Sequence, residues 1–243
     1  MLHRVAHRGY STVAPENTLP AFDAAVRAGA TLVEFDVRVT RDGVPVVIHD
    51  RTVNRTTSGT GRVWDLTYDE IAALDAGSWF GAGFTGLRVP TLAETLDLLA
   101  AGTAELLVEI KPPATLDEVK TIVAQLAERD LLARSVIQSF DADVLRKVRG
   151  LVPDVRLGLL LFRFDAETVA TCRELDVAYC NPDLEDVLSH PETMAGLAEA
   201  GVQVMPWTPN DMARWRPLVD AGVAGLITDH VGELTGWVNA GSV

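Results

Sequence analysis

Short apolar runs alternate along the chain with longer stretches in which apolar residues recur at helical spacing. The runs predict strands at Val5–His7, Leu32–Val37, Leu106–Ile110, Ser135–Ser139, Arg156–Leu161, Val177–Cys180, Val202–Trp207 and Gly225–Thr228. The helical spacing predicts helices over Thr18–Ala28, Leu92–Ala101, Leu116–Arg129, Ala142–Gly150, Ala166–Leu175, Pro191–Ala200, Asp211–Ala221 and Val231–Ala240. One helix start is explicit: Thr91 precedes Leu92, with Glu94 three residues on, which makes a capping box. Strands that are apolar at successive positions suit burial on both faces, the situation of parallel sheets covered by helices. Strict alternation predicts an α/β fold, and a count of eight favours a closed (β/α)8 TIM barrel over an open sheet. Residues 40–90 break the rhythm. They are too many for a strand-to-helix loop and lack a strong helical repeat, so they read as a small insertion after strand two of a single domain spanning 1–243.

Composition narrows the partners. With 48% hydrophobic residues in 243, the chain buries enough surface to fold. Its net charge of −13 argues against nucleic acid and against an anionic membrane surface, but not against a small anionic ligand held in a local field. Cys172 and Cys180 have no metal-ligand spacing and are expected to be buried. The opening Met1–His7 is too polar for a signal peptide, and no apolar run nears the roughly 20 residues of a membrane span. The expectation is a soluble, cytoplasmic protein with no stable membrane anchor. A homo-oligomer stays open.

The chemistry lies at strand ends. Side chains alternate faces along a strand, so Glu34 and Asp36 share one face, and Glu109 and Lys111 share another. Buried carboxylates need a counter-charge, and in a parallel barrel these positions fall at the C-terminal mouth. Glu34, Asp36 and Glu109 then form an all-oxygen cluster suited to one divalent cation, Ca²⁺ or Mg²⁺. Asp42-Gly43 between alternating apolar residues predicts a two-residue hairpin turn with Arg41 opposite Val44, and hence Asp36 opposite His49. His7, followed by Arg8 and Gly9, ends the neighbouring strand at the same mouth. Two histidines beside a divalent cation, with Arg8 and Lys111 close by, suit cleavage of a phosphate ester. His3, His190 and His230 lack that context and read as structural.

These residues form a pattern. His7-Arg8-Gly9, Pro15-Glu16-Asn17-Thr18, Glu34-x-Asp36, His49-Asp50, Arg55-Thr56-Thr57 and Glu109-Ile110-Lys111 resemble, in order and spacing, the glycerophosphodiester phosphodiesterase family. Leu74 to Phe80, Pro90-Thr91-Leu92, Trp207-Thr208 and Ile227-Thr228-Asp229 extend the resemblance over nearly the whole chain. It implies a barrel with an insertion after strand two, catalytic histidines at His7 and His49, and metal ligands at Glu34, Asp36 and Glu109. It further implies phosphate-side cations at Arg8 and Lys111, with Trp207 against the glycerol end. Glu16 and Asn17 would shape the mouth, though capping of the following helix is an equal reading for Glu16. Gln138 and Phe140 fall near the substrate.

The implied reaction is hydrolysis of glycerophosphodiesters to sn-glycerol 3-phosphate and an alcohol. It leaves open which histidine is the base, and whether water or the glycerol 2-hydroxyl attacks. Two positions depart from the family pattern: Arg51 replaces the usual proline after His-Asp, and Pro209 follows Trp-Thr. A lysophospholipase D-type enzyme on the same barrel is the alternative. It would expose apolar surface at the mouth, whereas Trp64, Trp79, Phe80 and Phe84 of the insertion read as a structural cap.

Overall fold

The computed structural model describes residues 2–241. Eight parallel strands enclose a filled interior: β1 (His3–Ala6), β2 (Leu32–Val39), β4 (Glu105–Ile110), β5 (Ser135–Ser139), β6 (Arg156–Leu161), β7 (Tyr179–Pro182), β8 (Gln203–Val204) and β9 (Gly225–Thr228). Their spatial order is β8-β7-β6-β5-β4-β2-β1-β9. The seam is drawn together by Ala224 N donating to Val204 O at 2.8 Å and by Ile227 N donating to Pro206 O at 3.0 Å. Trp207 also bridges Ile227 there in parallel register. This is the expected TIM-type barrel. Among the described residues no helix is long and apolar enough to cross a membrane.

Most predicted helices appear within a few residues of their expected ends: α1 (Leu19–Arg27), α3 (Leu92–Ala100), α4 (Leu116–Ala127), α5 (Ala142–Leu151), α6 (Thr168–Glu174), α8 (Pro191–Glu199) and α10 (Val231–Asn239). Thr91 and Glu94 close the predicted capping box at α3. Two elements are shorter than the pattern suggested, each because of a proline. Regular pairing of β8 stops at Val204; Met205 N and Trp207 N still donate to Cys180 O and Pro182 O of β7, but Pro206 has no N–H to donate towards β9. Pro217 cannot sit in a helix interior, so α9 begins at Trp215 and places it in the first turn (Trp215–Asp220), after a 3₁₀ turn at Met212–Arg214. Strand β3 (Pro45–Val47) and helices α2 (Tyr68–Ala72) and α7 (Leu184–Ser189) are too short to carry a periodic signal.

Alternation sorts the strand residues into two cores. Val5, Leu32, Leu107, Val136, Tyr179, Met205 and Ile227 fill the barrel interior. Val33, Phe35, Val37, Leu106, Val108 and Ile110 face the helices, where Phe22 of α1 meets Phe35 edge-on at 5.8 Å. Phe22 is fully buried, which contributes about 1.5–3 kcal/mol. Parallel register sets Asp36 beside Glu109 and Glu34 beside Leu107, so the carboxylates sit at the mouth directly above the inner core.

The hairpin differs from its prediction by one residue. Val37 pairs with Val47, Arg38 with Val46 and Val39 with Pro45, so Ile48, not His49, lies opposite Asp36. The loop has three residues, Arg41 to Gly43, with Gly43 in the left-handed conformation at φ 83°. Side chains select it. Thr40 Oγ1 donates to Asp42 Oδ1 at 2.6 Å and accepts from Val44 N at 3.0 Å, while Tyr68 N ties Asp42 to α2. The rest of residues 40–90 builds a small core of its own from Val46, Ile48, Val53, Val63, Ile71, Ala76 and Val89. The Leu74–Phe80 motif has a structural cause: Asp75 accepts backbone N–H bonds from Gly77, Ser78 and Gly86.

Gly9 turns the chain out of the β1 end at φ 82°, and a Cβ there would lie 2.7 Å from the Ala21 backbone of α1. Gly9→Ala is expected to lower stability by at least about 1–2 kcal/mol for the left-handed backbone alone, with the clash adding to it. Denaturant unfolding of the variant against wild type measures this.

Candidate active site

Three carboxylates converge at the mouth. Ligand oxygens of Glu34, Asp36 and Glu109 lie within 4.8 Å of one another, and all three residues are buried. Local structure holds each one. Arg8, at φ 57°, turns its backbone N–H onto Glu34 Oε2 at 2.8 Å. Asn17, also at φ 57°, donates Nδ2 to Asp36 Oδ2 at 2.7 Å and accepts from Asp36 N at 3.3 Å. Left-handed non-glycine residues are strained, and here the strain aims donors at buried charge. Lys111 Nζ stands 2.9 Å from Asp36 Oδ1 and 2.5 Å from Glu109 Oε1.

The charges are unequal. Burial and the neighbouring Asp36 and Glu109 charges push the Glu34 carboxyl well above the usual range. Burial and the Asp36 charge push Glu109 up to about 7. Burial also works against Asp36, but Lys111 and Arg8 outweigh it and hold that carboxyl well below its usual value. Asp36 Oδ1 and Glu109 Oε1 are buried and accept no well-directed hydrogen bond, although Lys111 lies within ion-pair distance of both. An all-oxygen set with two such oxygens fits a hard divalent cation.

Each mouth histidine is pinned by a carboxylate. His7 Nδ1 lies 2.7 Å from Asp229 Oδ1, and Asp229 also accepts from Ser11 Oγ and Asn210 Nδ2. His49 Nδ1 lies 2.7 Å from Asp50 Oδ1. Carboxylates accept, so Nδ1 carries the proton and Nε2 of each ring is left for other work. Burial pushes His49 below its ordinary value. Despite the shifted register, the turn after β3 still brings His49 to the mouth, where Arg38 Nε holds its carbonyl at 2.9 Å.

A cavity of about 290 Å³ opens between these groups. His7, Arg8, Glu34, His49, Glu109 and Lys111 form its charged side, and Phe140, Phe162, Leu160 and Trp207 its apolar side. Phe140 stacks on Phe162 at 4.5 Å, and Trp207 meets both edge-on. Gln138 lines the cavity and accepts from Asn181 at its buried floor. A larger groove of about 700 Å³ against α8 and β8 has no charged side chain in its lining.

Thus the structure brings together His7, His49, Glu34, Asp36, Glu109, Arg8, Lys111, Trp207 and Phe140. Glu16 stands apart. It does not line the cavity and does not cap α1, whose N-cap is Thr18; it accepts from Arg8 Nη1 at 2.9 Å and from Arg55 Nη1 at 2.7 Å. Arg55 also bonds Asp50, so one arginine joins the loop after β1 to the support of His49. Asp50 and Asp229 belong to motifs of the sequence, but their role as supports of the histidines does not show there, and Phe162 lies in none of those motifs. Phe162 was within reach, because it continues the inward face of Gly158 and Leu160 beyond the end of β6. His3 packs edge-on against Tyr179, and His190 and His230 pair with Asp186 and Glu233 near the surface.

Comparisons with known proteins find relatives over nearly the whole chain. The family model for the glycerophosphoryl diester phosphodiesterase family matches residues 7–233. The chain is 38% identical over 240 residues to a glycerophosphodiester phosphodiesterase of Caldanaerobacter subterraneus subsp. tengcongensis, covering 98% of both. It is 32% identical to a glycerophosphodiester phosphodiesterase of Bacillus subtilis, covering 93% of this chain and 83% of that one. An Oleispira antarctica phosphodiesterase, solved in complex with the product sn-glycerol-3-phosphate, superposes with a TM-score of 0.91 at 28% identity, covering 97% and 96% of the two chains.

Burial opposes the Asp229 charge, but the hydrogen bond and charge of His7 outweigh it and hold the carboxyl at about 2. A depressed carboxyl stabilises the fold above its unfolded value, roughly 3.9, and loses that contribution as pH falls through its folded value. The stability difference between wild type and Asp229→Asn is therefore expected to be full above about pH 4 and to shrink towards pH 2. Urea unfolding of both proteins across that range checks it.

Proposed function

The chain belongs to the glycerophosphoryl diester phosphodiesterase family and is a phosphodiesterase; from that premise we propose that it hydrolyses glycerophosphodiesters to sn-glycerol 3-phosphate and an alcohol, with one divalent cation, Ca²⁺ or Mg²⁺, at Glu34, Asp36 and Glu109. The observation that carries the reading is the pair of imidazoles, each fixed at Nδ1 by its own carboxylate, beside a buried three-carboxylate cage. When bound, the cation supplies positive charge for the phosphoryl oxygens. Arg8 and Lys111 add the protein's own charge beside it. The apolar wall of Trp207, Phe140 and Phe162 takes the glycerol carbons and turns the diester so that its phosphorus faces the histidines.

One histidine removes the proton of the attacking hydroxyl at Nε2; if this is water the monoester forms directly, and if it is the glycerol 2-hydroxyl a cyclic phosphate forms that water then opens. The other histidine, starting with both ring nitrogens protonated, gives its Nε2 proton to the oxygen of the leaving alcohol. Asp229 and Asp50 stabilise whichever ring becomes cationic and fix its tautomer. Glu16 acts on this machinery only through Arg8 and Arg55. A cytoplasmic enzyme of one domain, with residues 40–90 as an inserted cap, completes the reading.

A second reading has one observation in its favour. Phe162 is 68% exposed and carries the apolar wall out of the cavity, as a lysophospholipase D-type enzyme would need for an acyl chain. The insertion aromatics weigh against it, since Trp79, Phe80 and Phe84 pack edge-on against one another. Turnover of glycerophosphocholine against lysophosphatidylcholine separates the two.

His7→Ala and His49→Ala are each expected to lower kcat on glycerophosphocholine by about 10²–10⁴ with an unchanged circular dichroism spectrum. Near wild-type kcat in either variant, with metal present, overturns the histidine roles. Excess chelator is expected to abolish turnover, and added MgCl₂ or CaCl₂ to restore it. Full activity in persistent chelator removes the metal from the reading.

A further inference from the structure

The cage divides its oxygens. Asp36 Oδ2 is held by Asn17 at 2.7 Å, and Glu34 Oε2 by the Arg8 N–H at 2.8 Å. Asp36 Oδ1 and Glu109 Oε1 accept no well-directed hydrogen bond, and both lie beside Lys111 Nζ. With Oδ2 held by Asn17, Oδ1 is the oxygen Asp36 has left for a metal, and Lys111 Nζ already stands 2.9 Å from it and 2.5 Å from Glu109 Oε1. Arg8 cannot take that place. Its guanidinium is tied to Glu16 at 2.9 Å, and its Nε approaches the other oxygen of Asp36 at 3.4 Å. The Lys111 side chain is 7% exposed, and its Nζ lies 6.0 Å from the centroid of the Phe140 ring, which lines the cavity.

We propose that Lys111 is the resident counter-cation of the carboxylate cage: it holds Asp36 and Glu109 when no metal is bound, competes with the metal for them, and so sets the metal concentration at which the cage loads. The proposal rests on the metal reading above. Two cations drawn to the same two oxygens repel each other, and the low polarity of the site strengthens that repulsion. Without the lysine, three buried carboxylates would face one cation fewer, which destabilises the metal-free fold and strengthens the pull on an incoming ion. The flexible four-carbon stem lets the ammonium shift closer to the Phe140 ring, already 6.0 Å away. A lysine displaced towards it brings its charge to the cavity, where the phosphate must arrive. Metal loading would then arm the substrate subsite as well as fill the cage.

Isothermal titration of chelator-stripped protein with MgCl₂ and CaCl₂ tests this in wild type, Lys111→Met and Lys111→Gln. Both variants are expected to bind metal at least about tenfold tighter than wild type. Stripped of metal they should melt below stripped wild type, and their gain in Tm on saturation should be larger. A folded variant that binds metal no tighter than wild type overturns the proposal, as does a stripped Tm that does not fall. If the stripped variants do not fold, back-titration of the metal-loaded forms with a chelator of known affinity gives the same affinity ratio, and a ratio near one overturns the proposal there too. Wild type that binds neither ion overturns the metal reading itself, whatever the variants do.

Discussion

Three carboxylates buried on two neighbouring strands are the constraint around which the mouth is built. Glu34, Asp36 and Glu109 could not stay in so dry a place without compensation. Lys111 and the Arg8 guanidinium supply charge, and the Arg8 N–H and Asn17 supply directed hydrogen bonds. Those donors stand where they do because Arg8 and Asn17 adopt left-handed backbone in the loop after β1. Loop conformation, strand register and site electrostatics are thus one arrangement.

The histidines attach to this arrangement from outside it. His7 rests on Asp229 from the end of β9, which register places beside β1. His49 rests on Asp50, and Asp50 is tied through Arg55 to Glu16 and so to Arg8. A chain of ion pairs therefore runs around the rim from one imidazole support to the cage. Exposed ion pairs contribute little singly, but Arg55 makes four hydrogen bonds in a fixed fork, and such networks gain from shared geometry.

Most of the barrel was legible because a fully buried strand and an amphipathic helix leave different periods in the sequence. The cage was legible for the same reason, since alternation placed Glu34 with Asp36 and Glu109 with Lys111 before any contact was known. Elements and partners set by other forces were less so. The hairpin slipped by one residue because Thr40 and Asp42 hydrogen bonds favour a three-residue loop, which a dipeptide signal does not reveal. Asp229 is 222 residues from His7 in sequence, and only closure of the barrel makes them neighbours. Pro206 and Pro217 shortened β8 and α9 through missing N–H groups, a local effect that an apolar pattern overlooks.

The alternation of β2 has a consequence for how such a protein can change. Phe35 faces the helices while Glu34 and Asp36 face the mouth, in one uninterrupted run. Deleting or inserting a single residue below this run would exchange the faces, putting two carboxylates into the outer core and an aromatic ring into the cage. Stability and catalysis would be lost in the same event. The strand can therefore drift by substitution but not by a change of length, and variation in length is confined to the loops, among them the segment 40–90 with its own small core.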